Sequence, residues 1–168
     1  MKINGFYVLC LLVLFVFNSC SKNQEQKPET EAKVAYIEWS DSLSIKIKEI
    51  DDQHKNIAGL VNELHDAVMA NKDKATLGIA LDKLIAGADM HFKTEEKYME
   101  KYAYIGLMDN KKIHSDFVKV CLNLQTRFNA GTAKIDLPIL DMIKKWLTGH
   151  MTIEDVKMGK FLVSKGMS

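Results

Sequence analysis

The sequence predicts an all-α protein, an up-down-up-down four-helix bundle with an extended N-terminal arm. Three observations indicate this fold class. Apolar residues recur at spacings of three and four, the helical period, in four long segments. The 168 residues contain only two prolines and nine glycines, so long helices can form without interruption. The breaks between the segments are short, and short connections favour antiparallel neighbouring helices.

The arm comes before the first helix. We expect an extended arm over residues 36–49 that packs across the bundle, because Trp39 is followed there by alternating Leu43, Ile45 and Ile47. The first helix is predicted from about Asp51 to the polar break at residues 71–73. Its apolar stripe consists of Ile50, His54, Ile57, Val61, Leu64 and Val68.

Three further helices follow. The second is predicted over residues 74–101 and the third over residues 108–129, where Asn129-Ala130-Gly131 is typical of a helix end. The apolar stripe of the third helix consists of Ile113, Phe117, Val120, Cys121, Leu124 and Phe128. The fourth helix is predicted from Asp136-Leu137-Pro138 to about residue 164. Aspartate caps free N–H groups at a helix start, and proline is tolerated in the first turn.

The composition is that of one globular domain. Hydrophobic residues make up 47% and charged residues 27% of the chain, which excludes a disordered tail or a collagen-like fibre. Lysine and arginine number 23 against 22 acidic residues. This balance gives no electrostatic basis for nucleic-acid binding, so we expect no nucleic-acid partner.

The first twenty residues form a separate unit. Lys2 precedes an apolar run over residues 6–17, which is shorter than the roughly 20 residues that span a bilayer and fits a secretory signal. Phe17-Asn18-Ser19-Cys20 resembles a bacterial lipobox, in which the cysteine is lipidated and becomes the mature N-terminus.

The leader predicts a location. We expect a lipoprotein signal peptide over residues 1–19, lipidation at Cys20, a flexible tether over residues 20–35 and the bundle over residues 36–168. The protein would then be anchored to a membrane of the cell envelope. An uncleaved short anchor or a plain secretory signal is the alternative. The chain has three cysteines, of which Cys10 lies in the leader and Cys20 is the predicted lipidation site. Cys121 would therefore remain alone, so we expect no disulfide framework and a buried Cys121 thiol.

Four histidines lie on or beside an apolar stripe, one in each predicted helix: His54, His91, His114 and His150. His91 and Glu95 are four residues apart and share one helix face. A single inward histidine is more often a hydrogen-bonded core residue. Four such histidines with a carboxylate indicate a metal site in the bundle core, suited to iron, manganese or zinc. His65 does not join this set, and we expect it to be solvated or capping.

Four ordered motifs over residues 39–160 resemble those of the haemerythrin family. They are Trp39 with Ile50-Asp51-Asp52-Gln53-His54, then His91-Phe92-Lys93-Thr94-Glu95-Glu96-Lys97-Tyr98-Met99, then His114 with Phe117, and last Trp146-Leu147-Thr148-Gly149-His150-Met151 with Asp155. The resemblance implies a four-helix bundle with a non-haem di-iron centre that binds dioxygen reversibly.

The resemblance also implies the roles of single residues. His54 and His91 would ligate one iron, and His114 and His150 the other. Glu95 and Asp155 would bridge the two ions. The spacing of five between His150 and Asp155 does not put them on one face of an ideal helix, so Asp155 rests on the resemblance alone. We expect Phe92, Trp146, Leu147 and Met151 to wall an oxygen pocket beside the His54/His91 iron; ordinary core packing is the alternative for them.

One position departs from the family pattern. The family has two histidines four residues apart on the third helix, and Asn110 stands where the first would be. An amide oxygen is a harder and weaker ligand than imidazole for ferrous iron. The second iron would therefore be completed by Asn110 or by water. Three outcomes are open: a di-iron site with an altered oxygen complex, easy loss of the second iron, or metal binding without oxygen carriage.

We therefore expect an oxygen-binding protein rather than an enzyme, serving oxygen binding, storage or delivery at the cell envelope. Two alternatives remain open from the sequence. One is a di-iron oxidase, peroxidase or iron-handling protein. The other is a structural bundle whose metal site is degenerate.

Overall fold

The computed structural model describes residues 34–168. The predicted signal peptide, the lipidation site Cys20, Cys10 and most of the predicted tether lie outside the described residues. The elements are a short 3-10 turn at Asp41–Leu43, α1 (Lys48–Met69), α2 (Lys74–Lys101), α3 (Leu107–Asn129) and α4 (Leu137–Ser164). The four-helix, all-α fold predicted from the sequence is thus confirmed.

Local chemistry explains where the helices begin and end. The Asp73 carboxylate accepts a hydrogen bond from the Thr76 N–H (2.9 Å) at the start of α2. The Asp136 carboxylate accepts one from the Ile139 N–H (3.3 Å) at the start of α4, as the sequence predicts. After α3, Gly131 adopts a φ of 74°, a left-handed conformation that glycine takes without strain.

The helices pack unequally. Close backbone contact is most extensive between α1 and α2 and between α2 and α3, whereas α3 and α4 make little of it. Val120 of the predicted α3 stripe is therefore 49% exposed, and its prediction as a core residue is wrong. It lies beside a groove between α3 and α4 where no helix covers it. Cys121, the next residue, is buried as expected.

The arm packs on the bundle through its alternating apolar residues. Leu43, Ile45 and Ile47 are all buried. The arm is not extended throughout, because the 3-10 turn interrupts it and Lys46 has a φ of 66°. The Asp51 carboxylate of α1 fixes the arm by accepting hydrogen bonds from the Ser44 hydroxyl (2.6 Å) and the Ile45 N–H (2.8 Å).

None of the helices in residues 34–168 combines the length and apolar character needed to cross a membrane.

Candidate metal centre

Seven polar side chains are buried among residues 34–168, and all four helices contribute to them. They are His54 from α1, His91 and Glu95 from α2, Asn110 and His114 from α3, and His150 and Asp155 from α4. The structure thus brings together every residue that the resemblance implies as a metal ligand. Each histidine stands at a core-facing position because it falls in the apolar period of its helix.

The first histidine pair lies on α1 and α2. His54 Nε2 is 3.2 Å from Asp155 Oδ2, and His91 Nε2 is 3.4 Å from Glu95 Oε1. The two imidazole rings meet edge to face, with centroids 4.7 Å apart. Four donor atoms, from His54, His91, Glu95 and Asp155, therefore converge from three different helices, as a bound cation requires.

The second pair lies on α3 and α4. His114 Nε2 and His150 Nε2 are 3.0 Å apart. His114 Nε2 lies 3.3 Å from Glu95 Oε2, and His150 Nε2 lies 3.1 Å from Asp155 Oδ1. This half is a second convergence of nitrogen and oxygen donors that shares Glu95 with the first.

Each carboxylate faces both histidine pairs. Glu95 turns Oε1 toward His91 and Oε2 toward His114, and Asp155 turns Oδ2 toward His54 and Oδ1 toward His150. The structure therefore places Asp155 at the centre of the cluster, which the helical period could not predict. Two carboxylates shared in this way are suited to bridging two metal ions.

The cluster contains most of the unsatisfied buried polar atoms in the described residues. Both oxygens of Glu95 and Asp155, and Nε2 of His54 and His91, are buried and have no hydrogen-bond partner. Buried charged groups are costly unless they are paired or coordinate a metal. A borderline cation suits this mixture of imidazole and carboxylate, so the donor set fits two iron ions.

Two histidines of the cluster have pKa values shifted in opposite directions. Burial lowers the pKa of His91 to about 4, although the Glu95 charge acts in the opposite direction. Burial also opposes the charge of His150, but the adjacent carboxylates of Asp155 and Glu95 outweigh it and raise its pKa to about 10. Burial likewise opposes ionisation of Glu95, but the surrounding histidines lower its pKa. The surroundings of His150 thus favour positive charge more than those of His91 do.

Two further residues orient the histidines. Gln53 Oε1 lies 3.2 Å from His91 Nδ1, and Glu96 Oε1 lies 2.9 Å from His114 Nδ1. Such partners fix the ring orientation and raise the basicity of a ligating imidazole. We assigned neither a role from the sequence. Their positions in the sequence could have indicated these roles, because Gln53 directly precedes His54 and Glu96 directly follows Glu95.

Asn110 is buried on α3, with only 3% of its surface exposed. Its Nδ2 donates a hydrogen bond to the Gly106 carbonyl oxygen (2.9 Å), whereas its Oδ1 is buried without a partner. The amide therefore has one oxygen available in the interior. Asn110 and His114 are four residues apart on α3 and share a helix face.

The expected pocket residues lie close to the cluster or in the core beside it. The Phe92 ring stacks on His114 (centroids 4.1 Å apart), and the Trp146 ring stacks on His150 (4.9 Å). Phe92 also contacts His91 more obliquely. Leu147 and Met151 are buried in the main hydrophobic core. That these four residues wall an oxygen pocket stays a prediction.

His65 stands apart from the cluster. Its ring stacks on Tyr36 with centroids 4.1 Å apart, and its Nδ1 lies 3.3 Å from Asp66 Oδ1. It is half-buried rather than solvated, because the arm covers it.

Comparison with known proteins agrees with this geometry. The family model described as "Hemerythrin HHE cation binding domain" matches residues 45–162 of this chain. The chain is 38% identical to the bacteriohemerythrin of Methylococcus capsulatus over 112 residues, covering 67% of this chain and 85% of that protein. It is 33% identical to a hemerythrin-like protein of Naegleria gruberi, covering 71% and 87%.

Solved structures give the same result for the fold. A crystal structure of wild-type hemerythrin superposes with a TM-score of 0.73 at 35% identity, covering 76% of this chain and 98% of that one. The chain therefore belongs to the haemerythrin family, whose members hold a non-haem di-iron centre.

Proposed function

We propose that this protein binds dioxygen reversibly at a non-haem di-iron centre. One observation carries the proposal: two buried histidine pairs face opposite oxygens of the same two carboxylates. In this proposal His54 and His91 would hold one iron and His114 and His150 the other. Glu95 and Asp155, each facing both pairs, would be shared by the two ions.

The protein's own residues prepare the site for this chemistry. When bound, two ferrous ions supply the two electrons that dioxygen takes up on binding. Phe92 and Trp146 cover the histidine rings of one half and limit the access of water to them. Gln53 and Glu96 hold His91 and His114 in one orientation, so that their Nε2 atoms stay directed at the cluster.

The test is the iron content and the absorption spectrum of anaerobically purified protein, recorded under oxygen and under argon. We expect two irons per chain and a visible band that appears with oxygen and disappears under argon. Fewer than one iron per chain would instead support a structural bundle with a degenerate site. Steady loss of added peroxide with turnover would support an oxidase or peroxidase.

A pair of histidine variants provides the control. His150→Ala removes a proposed ligand and should lower the iron content of the chain. His65→Ala removes a histidine that lies on Tyr36, away from the cluster, and should leave the iron content unchanged. Equal iron contents in the two variants would contradict the proposed ligand set.

We further propose that the protein is a lipoprotein of the cell envelope, anchored through a lipid on Cys20. The support is the apolar run over residues 6–17 and the lipobox-like segment that ends at Cys20. Labelling of growing cells with a radioactive fatty acid tests this proposal. Label should follow the protein into the membrane fraction and be absent from Cys20→Ser, whereas Cys121→Ser should retain it.

A further inference from the structure

A chain of hydrogen bonds leads from the backbone of α2 to His91. The Thr94 hydroxyl lies 3.0 Å from the Met90 carbonyl oxygen, one turn back on the same helix. The side-chain amide of Gln53, on α1, lies between Thr94 and His91. Its Nε2 is 3.2 Å from Thr94 Oγ1, and its Oε1 is 3.2 Å from His91 Nδ1. These groups therefore form one continuous hydrogen-bonded chain across α1 and α2.

The carbonyl group at one end fixes the direction of every bond in this chain. A carbonyl oxygen can only accept, so the Thr94 hydroxyl donates its single proton to Met90. Thr94 Oγ1 then has only lone pairs left for Gln53, so the Gln53 NH2 group donates to it. This turns the acceptor Oε1 of Gln53 toward His91, and His91 Nδ1 is therefore the donor of the last bond.

The direction of the last bond determines which nitrogen of His91 carries the proton. A neutral imidazole has one N–H, so a proton on Nδ1 leaves the lone pair on Nε2. Nε2 is the atom that faces the cluster, 3.4 Å from Glu95 Oε1. A metal ion binds an imidazole nitrogen that carries no proton. The hydrogen-bonded chain thus prepares His91 Nε2 for a cation.

An amide needs such a chain, whereas a carboxylate does not. The partner of His114 Nδ1 is the Glu96 carboxylate, whose ionised oxygens can only accept and so select a proton on Nδ1 directly. The Gln53 amide could equally turn its NH2 group toward His91. That orientation would favour the proton on His91 Nε2, where it blocks a metal ion. Thr94 opposes the rotation, because its oxygen accepts from the Gln53 NH2 group.

We propose that Thr94 is a positioning residue for the metal centre. It orients the Gln53 amide, and through this amide it selects the form of His91 that binds metal. The inference rests on the proposed function only in taking His91 as a metal ligand, and it is independent of dioxygen. The role requires a hydroxyl group, which accepts from Gln53 and donates to Met90 at the same time.

The affinity of the full chain for Zn²⁺ provides the first test. Zn²⁺ suits imidazole and carboxylate ligands and has no redox chemistry. Thr94→Val keeps the shape of the side chain and removes the hydroxyl. Direct partners of a ligating histidine contribute about 10- to 100-fold to metal affinity, and Thr94 acts one bond farther away. We therefore expect a loss of about three- to tenfold, measured by competition with a coloured chelator.

The His91 Nδ1 proton provides a signature that a merely structural role would not change. In the Zn²⁺-loaded protein this proton is protected from exchange with water while Gln53 Oε1 accepts it. NMR measures the exchange rate. We expect faster exchange in Thr94→Val, because a rotated amide no longer accepts the proton. Thr94→Ser keeps the hydroxyl and should restore both the slow exchange and the affinity.

Thr126→Val is the matched control. The Thr126 hydroxyl donates the same kind of bond, to the Leu122 carbonyl oxygen one turn back (2.9 Å), but it lies far along α3 from His114. Equal Zn²⁺ affinities and equal exchange rates in Thr94→Val and Thr126→Val would overturn the proposal. So would a failure of Thr94→Ser to restore them.

A second background isolates the role of the amide. Glutamate in Gln53→Glu can only accept, so it selects the proton on His91 Nδ1 without help. Adding Thr94→Val to Gln53→Glu should then cost no further affinity, and a full additional loss would contradict the proposal. Failure of the proposed function is distinguishable, because an unchanged Zn²⁺ affinity in His91→Ala would show that His91 is not a ligand.

Discussion

The Nε2 atoms of His114 and His150 lie 3.0 Å apart, at the meeting point of α3 and α4. Two nitrogen donors on one ion, each about 2.1 Å from it and at right angles, would be separated by about 3.0 Å. The pair is therefore spaced to share a cation. The carboxylates of Asp155 and Glu95 also favour positive charge here, because they overcome the effect of burial and raise the pKa of His150 to about 10.

We expect Asn110 to limit how completely a metal ion at His114 and His150 is coordinated. Asn110→His adds an imidazole four residues before His114, on the same face of α3. We expect the oxygenated protein to persist longer in this variant, because a stronger ligand leaves less room for solvent at that ion. The decay of the oxygen-dependent absorption band measures the lifetime.

The control for this change is Asn123→His, an exposed position farther along α3. It should leave the lifetime as it is. An unchanged or shorter lifetime in Asn110→His would contradict the role assigned to Asn110.

The Glu96 carboxylate should strengthen metal binding through His114. Its Oε1 lies 2.9 Å from His114 Nδ1, whereas the partner of His91 is the neutral amide of Gln53. Glu96→Gln keeps the shape and removes the charge, and we expect metal affinity to fall about 10- to 100-fold. Competition with a coloured chelator measures the affinity.

Glu100→Gln is the matched control, since Glu100 is exposed on the same helix. It removes the same charge without touching a cluster histidine. If both variants lost affinity equally, the effect would be one of overall charge and not of the hydrogen bond to His114.

The helices and the central histidines could be predicted from the sequence because both depend on the helical period. His54, His91 and His114 each occupy a place where leucine would otherwise repeat, and the structure buries all three. Helix limits were also predictable where capping chemistry is local, as at Asp136.

Other features depend on tertiary packing, and the spacing of apolar residues along one helix does not show how that helix packs against the others. Val120 fits the stripe of α3, but it is exposed because α3 and α4 leave a groove there. Trp146 was predicted at the cluster, but only the structure shows that its ring lies against His150. Asp155 reaches the cluster through the geometry of four converging helices, which a spacing of five from His150 does not reveal.

Gly159 holds the arm close to α4. A side-chain carbon at this position would lie 2.7 Å from Ile45 Cβ and 3.1 Å from the Ile45 carbonyl oxygen. Gly159→Ala must therefore displace the arm, and we expect it to lower the free energy of unfolding by roughly 1–3 kcal/mol. Urea denaturation followed by circular dichroism measures the change.

Gly149→Ala provides the comparison, since the added carbon meets nothing within 4 Å. Alanine favours a helix over glycine by about 1 kcal/mol, so this variant should be more stable than the unmodified chain. Equal effects of the two substitutions would mean that the contact with Ile45 does not limit the packing of the arm.

The Cys121 thiol should make the stability of the fold depend on pH in the alkaline range. Burial raises its pKa to about 12, whereas a thiol in an unfolded chain ionises near about 8.5. Above that lower value the unfolded chain gains a thiolate that the folded chain resists. The contribution of Cys121 to stability is therefore fully present below about pH 8.5 and is lost as the pH rises toward 12, at about 1.4 kcal/mol per pH unit.

Urea denaturation of the unmodified chain and of Cys121→Ala at pH 8 to 10.5 isolates this effect, because other groups titrate alike in both. The difference in unfolding free energy should change steadily with pH, and a constant difference would show that the Cys121 thiol is accessible to solvent.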